Sequence, residues 1–219
     1  MRVLSGVLIF AIPDLTRICL RSLISTPTDV LVVDNCAPQD VKEEAYRYGD
    51  RIKVITMAEN TYCNGGWNEI MQYGLEHDYD LIGLGSSDVE LHPGWYNLVI
   101  NRATEHPDEI ILPRVGEPVS NADINNVTIA SSTPGFFTFL PKQAVAQVYP
   151  IPRGLRHWFG DEYMFTILRQ IGWKTVILND FTAYHQWSSN TAQNPEAYRV
   201  IEQDKLEWQR LRNQHLLQR

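Results

Sequence analysis

The stretch from Tyr79 to Trp95 constrains this chain more than any other. It opens with a short apolar run, Leu81-Ile82-Gly83-Leu84, flanked by polar residues. Such a run suits a strand buried on both faces of a parallel sheet. The run stops at Gly85-Ser86-Ser87; two carboxylates, Asp88 and Glu90, follow, and Pro93 opens a new helix. A carboxylate just past the carboxyl end of a central strand faces the crevice in which open α/β sheets bind ligands. Oxygen ligands there suit a hard divalent cation, Mg²⁺ or Mn²⁺, which would in turn hold a diphosphate. The competing reading is a polar strand end carrying solvated acids.

The residues before this stretch repeat one pattern. Val3–Phe10 reads as a first strand, and Asp14 as the cap of a helix running to about Ile24 with Leu15, Ile18, Cys19 and Leu23 on one face. Val30–Val33 is a second strand, ending in Asp34-Asn35. Asp40 and Glu43 resemble a capping box for the next helix, which Gly49 ends. Ile52–Thr56 is a third strand, and Gly65-Gly66 precedes a helix whose stripe is Trp67, Ile70, Met71, Gly74 and Leu75. This βαβαβαβ order predicts an α/β fold with a doubly wound, mostly parallel sheet flanked by helices and ligand at the strand carboxyl ends.

The second half is less regular. Pro93 at a first helical position opens a helix burying Trp95, Leu98 and Val99, and Glu109–Pro113 is a strand. Residues 114–133 read as a long polar loop carrying Asn121, Asn125 and Asn126. Gly135–Leu140 is a strand with Phe136, Phe137 and Phe139 in the core, and Pro141 starts a helix. Asp161–Ile171 is a helix ended by Gly172, followed by a strand from Lys174 to Leu178. From Pro195 a charged helix packs back through Tyr198, Ile201, Leu206 and Trp208.

The chain's 219 residues with 44% hydrophobic and 21% charged content make one α/β domain with a real core, rather than a disordered or fibrous chain. A net charge of −7 disfavours a nucleic-acid binder. Cys19, Cys36 and Cys63 form neither a metal-like pair nor a disulfide framework, which points to a reducing, cytoplasmic setting. The run Val3–Ile12 is too short to span a bilayer, so no transmembrane segment is expected.

Several residues converge on the expected crevice. Asp34 shares the sheet edge with Asp88 and either bonds a ribose or base or forms a turn with Asn35. Gly65-Gly66 lets backbone N–H groups approach a phosphate or sugar, and Asn68 either bonds a ligand or points to solvent. The first strand-to-helix turn, Phe10–Leu15, lacks the glycines of a dinucleotide-binding turn, and no phosphate-binding loop ending in Gly-Lys-Ser/Thr is present. A nucleotide would then be held by carboxylates and a metal.

With those pieces in view, the chain resembles the inverting GT-A glycosyltransferases of the family-two group, in their rhamnosyltransferase-like branch. The resemblance runs from the first strand to His185. It rests on Val32-Val33-Asp34-Asn35, on Asn60 to Asn68, on Ser86-Ser87-Asp88, and on Gly160-Asp161-Glu162 followed by Gly172-Trp173-Lys174. Asn60 to Asn68 matches the branch's Asn-x-Gly-x-x-x-Gly-x-Asn pattern at both asparagines and at Gly66, and departs from it at Tyr62. Ser86 stands where the family has the first acid of its Asp-x-Asp metal motif.

The resemblance implies a GT-A-like domain over 1–219. Residues 1–92 would bind the nucleotide sugar, 93–190 would shape the acceptor and catalytic half, and 191–219 would form a C-terminal helix. It implies Asp34 at the uracil or ribose, Asp88 at the cation, and Ala11, Pro13, Asn60, Gly66, Asn68, Ser86, Ser87, Trp158 and Trp187 around the substrates. His185 would ligate the cation or contact the diphosphate, against a capping or core role, and the loop 186–194 would close over the donor. The catalytic base is expected at Asp161, with Glu162 second. Both open a helix, whose dipole favours an ionised carboxylate, and the family's Glu-Asp pair aligned back from Gly172 places its Asp on Asp161. Arg153, Arg156 and His157 make the preceding loop basic, and Trp158 either stacks on a sugar or lies in the core.

The implied reaction moves a sugar from a nucleotide-diphosphate donor, a UDP-sugar, to an acceptor hydroxyl on a glycan, protein, small molecule or modified nucleobase. A non-catalytic sugar-nucleotide-binding module is favoured by Ser86 and opposed by Asp88 and Asp161. A nucleotidyltransferase needs a glycine-rich, basic first loop, which Ala11-Ile12-Pro13-Asp14 does not supply.

Overall fold

Apolar runs become strands and amphipathic stretches become helices, in the order β1 (Val3–Ile9), α1 (Pro13–Ile24), β2 (Asp29–Asp34), α2 (Gln39–Tyr46), β3 (Ile52–Thr56), α3 (Tyr62–Glu76), β4 (Leu81–Ser86) and β5 (Val89–Leu91). Then follow α4 (Trp95–Glu105), β6 (Glu109–Val115), β7 (Val127–Ile129), β8 (Phe137–Pro141), α5 (Lys142–Val148), α6 (Gly160–Gln170), β9 (Lys174–His185) and α7 (Pro195–Leu216). This computed structural model describes residues 1–118, 123–130, 135–186 and 195–216.

The described strands join one sheet in the order β3-β2-β1-β4-β8-β6-β9-β5, with β7 pairing β9 off that path. β3, β2, β1 and β4 run parallel, so Asp34 and Ser86 end adjacent to the end of β1 on one sheet edge. β8 lies antiparallel to both β4 and β6, and β6 is parallel to β9. Helices cover both faces. Cys19, Leu20 and Leu23 of α1, Val41 and Ala45 of α2, and Trp95 and Val99 of α4 pack on one. Trp67, Ile70 and Met71 of α3, Val145 of α5, Phe165 of α6 and Trp208 of α7 pack on the other. Helices on both faces explain why β1, β2 and β4 are apolar almost throughout rather than alternating.

Several boundaries differ from the sequence reading, each for a local reason. α1 begins at Pro13 with no side-chain cap, because Asp14 pairs with Arg17 at 2.5 Å instead. Cys19 and Leu23 point inward as expected, joined by Thr16 and Leu20, while Ile18 is 36% exposed. Asp40 accepts the N–H of its own neighbour Val41, so no capping box forms. α2 stops at Tyr46, and Gly49, at φ +49°, opens a short 3₁₀ turn. Pro93 precedes the helix, because Gly94 at φ +91° caps α4. The expected 114–133 loop contains β7, and β9 runs on to His185 as one strand. On α7 the buried stripe is Val200, Ile201, Asp204, Trp208 and Leu211, whereas Tyr198 and Leu206 are exposed.

Gly65 and Gly66 also take a different part. α3 starts at Tyr62, so the pair lies within its first turns and does not offer free N–H groups ahead of the helix. A Cβ on Gly66 would stand 2.1 Å from Leu8 Cδ1, so Gly66 is what lets α3 lie close on β1. Gly66→Ala should therefore destabilise the fold by about 1–3 kcal/mol through overpacking. A lower midpoint of urea unfolding checks this; an unchanged midpoint would refute the packing role.

Candidate active site

The carboxyl edge of β1 to β4 is built by side chains that bond backbone. Asp34, at the end of β2, is 1% exposed; its Oδ1 accepts the Ala37 N–H at 2.9 Å and its Oδ2 lies 3.2 Å from Lys42 Nζ. Asn35 reaches the loop after β3. Its Nδ2 donates to Asn60 Oδ1 (2.8 Å) and to the Tyr62 carbonyl (3.2 Å), and its Oδ1 accepts the Thr61 N–H (2.8 Å). Asn60 Oδ1 also accepts the Tyr62 N–H at 2.8 Å, so Asn60 shapes the loop. That loop carries Tyr62 at φ +58°, the position where the family pattern has glycine. Ala11 and Pro13 sit half-buried at the end of β1 on the same edge.

Asn68 braces two elements. Its Nδ2 donates to the Ile151 carbonyl (3.0 Å) and its Oδ1 accepts the Ile151 N–H (2.8 Å), tying α3 to the loop before α6. The expected choice between ligand and solvent is thus replaced by a backbone clamp. Asn64 does the same nearby: fully buried, it donates to the carbonyls of Leu155 (3.1 Å) and Trp158 (3.0 Å).

Past β4, the antiparallel pairing of β5 with β9 sets Val89 opposite His185, and Gln186 N–H donates to the Asp88 carbonyl. This brings Asp88 and His185 together, with Nε2 and Oδ1 3.6 Å apart and both side chains nearly buried. That separation is too long for a hydrogen bond. Asp88 Oδ1 is buried and meets no hydrogen-bond donor. The His185 ring stacks on Phe136, centroids 4.7 Å apart. Ser87 is buried, and Ser86 is half-buried with its N–H held by the Phe136 carbonyl at 3.0 Å. Among the described residues no three His, Cys, Asp or Glu side chains gather as a metal cage. The residues present fit a cation that takes Asp88 and His185 and fills its remaining positions with substrate and water oxygens.

Asp161 lies across the same backbone segment. Its Oδ2 accepts the Gly135 N–H (2.8 Å) and its Oδ1 accepts the Glu162 N–H (2.8 Å). Its surface is partly open, yet surrounding atoms enclose it, and that burial raises its pKa against the lowering effect of the amides. The helix N-terminus therefore does not dominate here, contrary to the dipole argument: desolvation wins. Glu162 is exposed and turned away from these contacts. Burial pushes the Cys63 thiol pKa up, and the charges of both Asp161 and Asp88 add to the effect.

The loop before α6 is less basic than its composition, since burial pushes the His157 imidazole down and outweighs the pull of Asp204. Arg156 lies over the Tyr62 ring at 5.5 Å and bonds Gln203. Trp158 is 46% exposed, so it is a surface platform and not a core residue. Trp187 and most of the loop 186–194 lie outside the described residues, as does Asn121.

The family model described as glycosyl transferase family 2 matches residues 11–171. The chain belongs to that family. Its GT-A fold is similar to that of TarS from S. aureus, at 16% identity and TM-score 0.68, over 94% of this chain and 39% of that one. A second TarS structure, of residues 1–349 in complex with UDP, matches at 14% identity and TM-score 0.66, over 92% of this chain and 64% of that one. GalNAc-T7, in a crystal structure with UDP, GalNAc and Mn²⁺, matches at 9% identity and TM-score 0.68, over 84% of this chain and 43% of that one. The chain thus spans less than two thirds of each of these proteins. No curated protein matches it. No helix among the described residues is long and apolar enough to cross a membrane.

Sequence reasoning passed over Asn64, Lys42, Gly135 and Asp204. Asn64 lies inside the Asn60–Asn68 motif, and Asp204 is an acid set in the apolar stripe of α7, so both carried a signal. Gly135 and Lys42 carried none.

The raised pKa of Asp161 has a sign that can be tested. A carboxyl whose folded pKa lies above its unfolded value favours the fold fully below the unfolded pKa, near 4, and loses that contribution as pH rises through the folded pKa. Asparagine stays neutral throughout. It sets an NH₂ group against one of the two amides, Gly135 or Glu162, a cost that does not vary with pH. The stability of Asp161→Asn relative to the parent should therefore rise as pH rises from 4 towards 7. Melting curves across that range check it; a difference independent of pH would contradict the burial account.

Proposed function

We propose that the chain transfers a sugar from a UDP-sugar to an acceptor hydroxyl with inversion at the anomeric carbon, assisted by Mn²⁺ or Mg²⁺. The observation that carries this reading is the arrangement around Gly135-Phe136. Asp88 and His185 are paired on one side with a buried carboxylate oxygen left open, and Asp161 on the other side bonds Gly135. Residues 1–92 bind the donor, 93–190 shape the acceptor side, and α7 packs behind it.

In this reading the bound cation offsets the charge that builds on the leaving diphosphate. Asp88 and His185 hold it. Asp34, at the nucleoside end, turns Oδ2 from Lys42 towards the uracil or ribose. Asp161 takes the proton of the acceptor hydroxyl as its oxygen attacks the anomeric carbon, opposite the departing UDP. A pKa raised by burial brings such a base closer to working pH, where proton transfer is most efficient. Trp158 offers an aromatic face to a sugar of the acceptor. Ser86, which supplies no carboxylate, favours the second reading, a module that binds the nucleotide sugar without turnover. Release of UDP from a bound UDP-sugar separates the two.

UDP with Mn²⁺ should raise the melting temperature, by the equivalent of about 2.7 kcal/mol at a hundred times its dissociation constant. Asp88→Asn should remove the Mn²⁺-dependent part, whereas Asp34→Asn should weaken UDP binding and leave its metal dependence intact. If no nucleotide diphosphate shifts the melting temperature, the transferase reading fails.

Asp161→Asn should lower kcat on the order of 10²–10⁴-fold with donor affinity near that of the parent, while Glu162→Gln stays active. Steady-state kinetics and UDP titration measure both. Parental turnover in Asp161→Asn would remove it as the base.

A further inference from the structure

We propose that Asp204, on α7 and outside the segment that matches the family, is a positioning residue for Asp161. The inference rests on Asp161 being the base. Asp204 is fully buried, and its carboxylate accepts three consecutive backbone N–H groups: Arg156 (3.0 Å), His157 (2.6 Å) and Trp158 (2.9 Å). The same loop is gripped from the opposite side by α3, where Asn64 donates from its side chain to the carbonyls of Leu155 and Trp158 and from its backbone to that of Arg156. Amides are thus held by α7 and carbonyls by α3.

The chain leaves this double clamp through Phe159, at φ +61°, and Gly160, where a Cβ would stand 2.1 Å from Asn64 Oδ1. Asp161 is the next residue. Its direction is therefore set by a turn with little freedom on its upstream side and by the bond to Gly135 on the other. Packing alone does not account for Asp204. It sits in a stripe with Ile201, Trp208 and Leu211, and an apolar residue there would leave three loop amides without their acceptor. A buried carboxylate is expensive unless its hydrogen bonds are made, and here they are made to the loop that aims the base. The Arg156 side chain bonds Gln203. Asp204 thus acts through backbone amides.

The test uses the full chain. Asp204→Asn replaces one acceptor oxygen by an NH₂ donor, so at least one loop amide must face a donor. UDP release from a turned-over UDP-sugar should fall on the order of 10²-fold in kcat, as a misplaced base predicts. KM and Mn²⁺-dependent UDP binding should stay within about two-fold, and Asp204→Glu should recover part of kcat. A second measurement needs no variant. In native-state hydrogen exchange of the parent, the amides of Arg156, His157, Trp158 and Gly135 should open together, with one free energy and one denaturant slope. A parental kcat in Asp204→Asn, a kcat loss matched by equal loss of UDP binding, or Gly135 opening independently of the loop would each overturn the proposal. If the parent itself releases no UDP, the transferase reading fails first, and the exchange pattern alone decides whether the clamp holds Asp161 in place.

Discussion

Two missing side chains in β4 hold this architecture together. Gly83 and Gly85 lie directly opposite Phe139 and Phe137 of the antiparallel β8. A Cβ on Gly83 would stand 2.8 Å from Phe139 Cε1, and one on Gly85 would stand 2.4 Å from Phe137 Cε2, so the rings occupy the space the glycines leave. Both rings are fully buried, and Trp95 stacks on Phe139 with centroids 5.3 Å apart. Glycine weakens a strand, and an aromatic partner across the ladder restores the lost contact. This packing fastens the second half of the chain to the first at the point where the sheet stops being parallel. The backbone entering β8, Gly135-Phe136, consequently runs past the end of β4. There it bonds Ser86 with one residue and Asp161 with the other.

Four largely enclosed carboxylates then stand near one edge of the sheet, and their partners differ in a telling way. Asp204 accepts three amides, Asp161 accepts two, and Asp34 has one amide and the Lys42 ammonium. Asp88 Oδ1 has the His185 imidazole at 3.6 Å and no hydrogen bond. Asp34 Oδ2 likewise lacks a hydrogen bond but has the Lys42 ammonium beside it. Asp88 is thus the acid that the fold compensates least, which is the physical content of proposing it as a cation ligand. Stacking on Phe136 fixes the His185 ring beside it, so under the proposed function the pair would be oriented before a cation arrives.

The parallel half of the fold was legible because its strands are short, apolar and separated by amphipathic helices, and periodicity reports that directly. Helix ends were less legible. Asp14 and Asp40 have the composition of caps, but one finds Arg17 and the other its neighbour's N–H, choices decided by geometry that spacing does not encode. β7 hid in a polar stretch because its partner is the distant β9. In the site, Asp34, Asp88 and Asp161 were readable as acids at strand or helix ends. The structural part of the asparagines was not legible: Asn68 clamps the Ile151 backbone, and Asn60 bonds the Asn35 side chain and the Tyr62 amide. A carboxamide satisfies a carbonyl and an N–H at once, so a site made of loops calls for such residues behind the groups that touch substrate.

That requirement is sharpest at two of the left-handed non-glycine residues. Tyr62 at φ +58° and Phe159 at φ +61° each take a conformation that costs a non-glycine residue about 1–2 kcal/mol. Neither would persist unless neighbours over-determined it. At Tyr62 the determinants are the Asn60 bond to its N–H, the Asn35 bond to its carbonyl, and the His157 ring edge-on at 6.1 Å. At Phe159 they are the Asp204 and Asn64 bonds to Trp158 immediately before it and the absent Cβ of Gly160 immediately after. His157 belongs to both sets, since its ring meets Tyr62 and its amide meets Asp204. The start of α3 and the start of α6 are therefore tied by shared contacts. Asn64 adds a further tie, since it starts from α3 and bonds the loop that feeds α6.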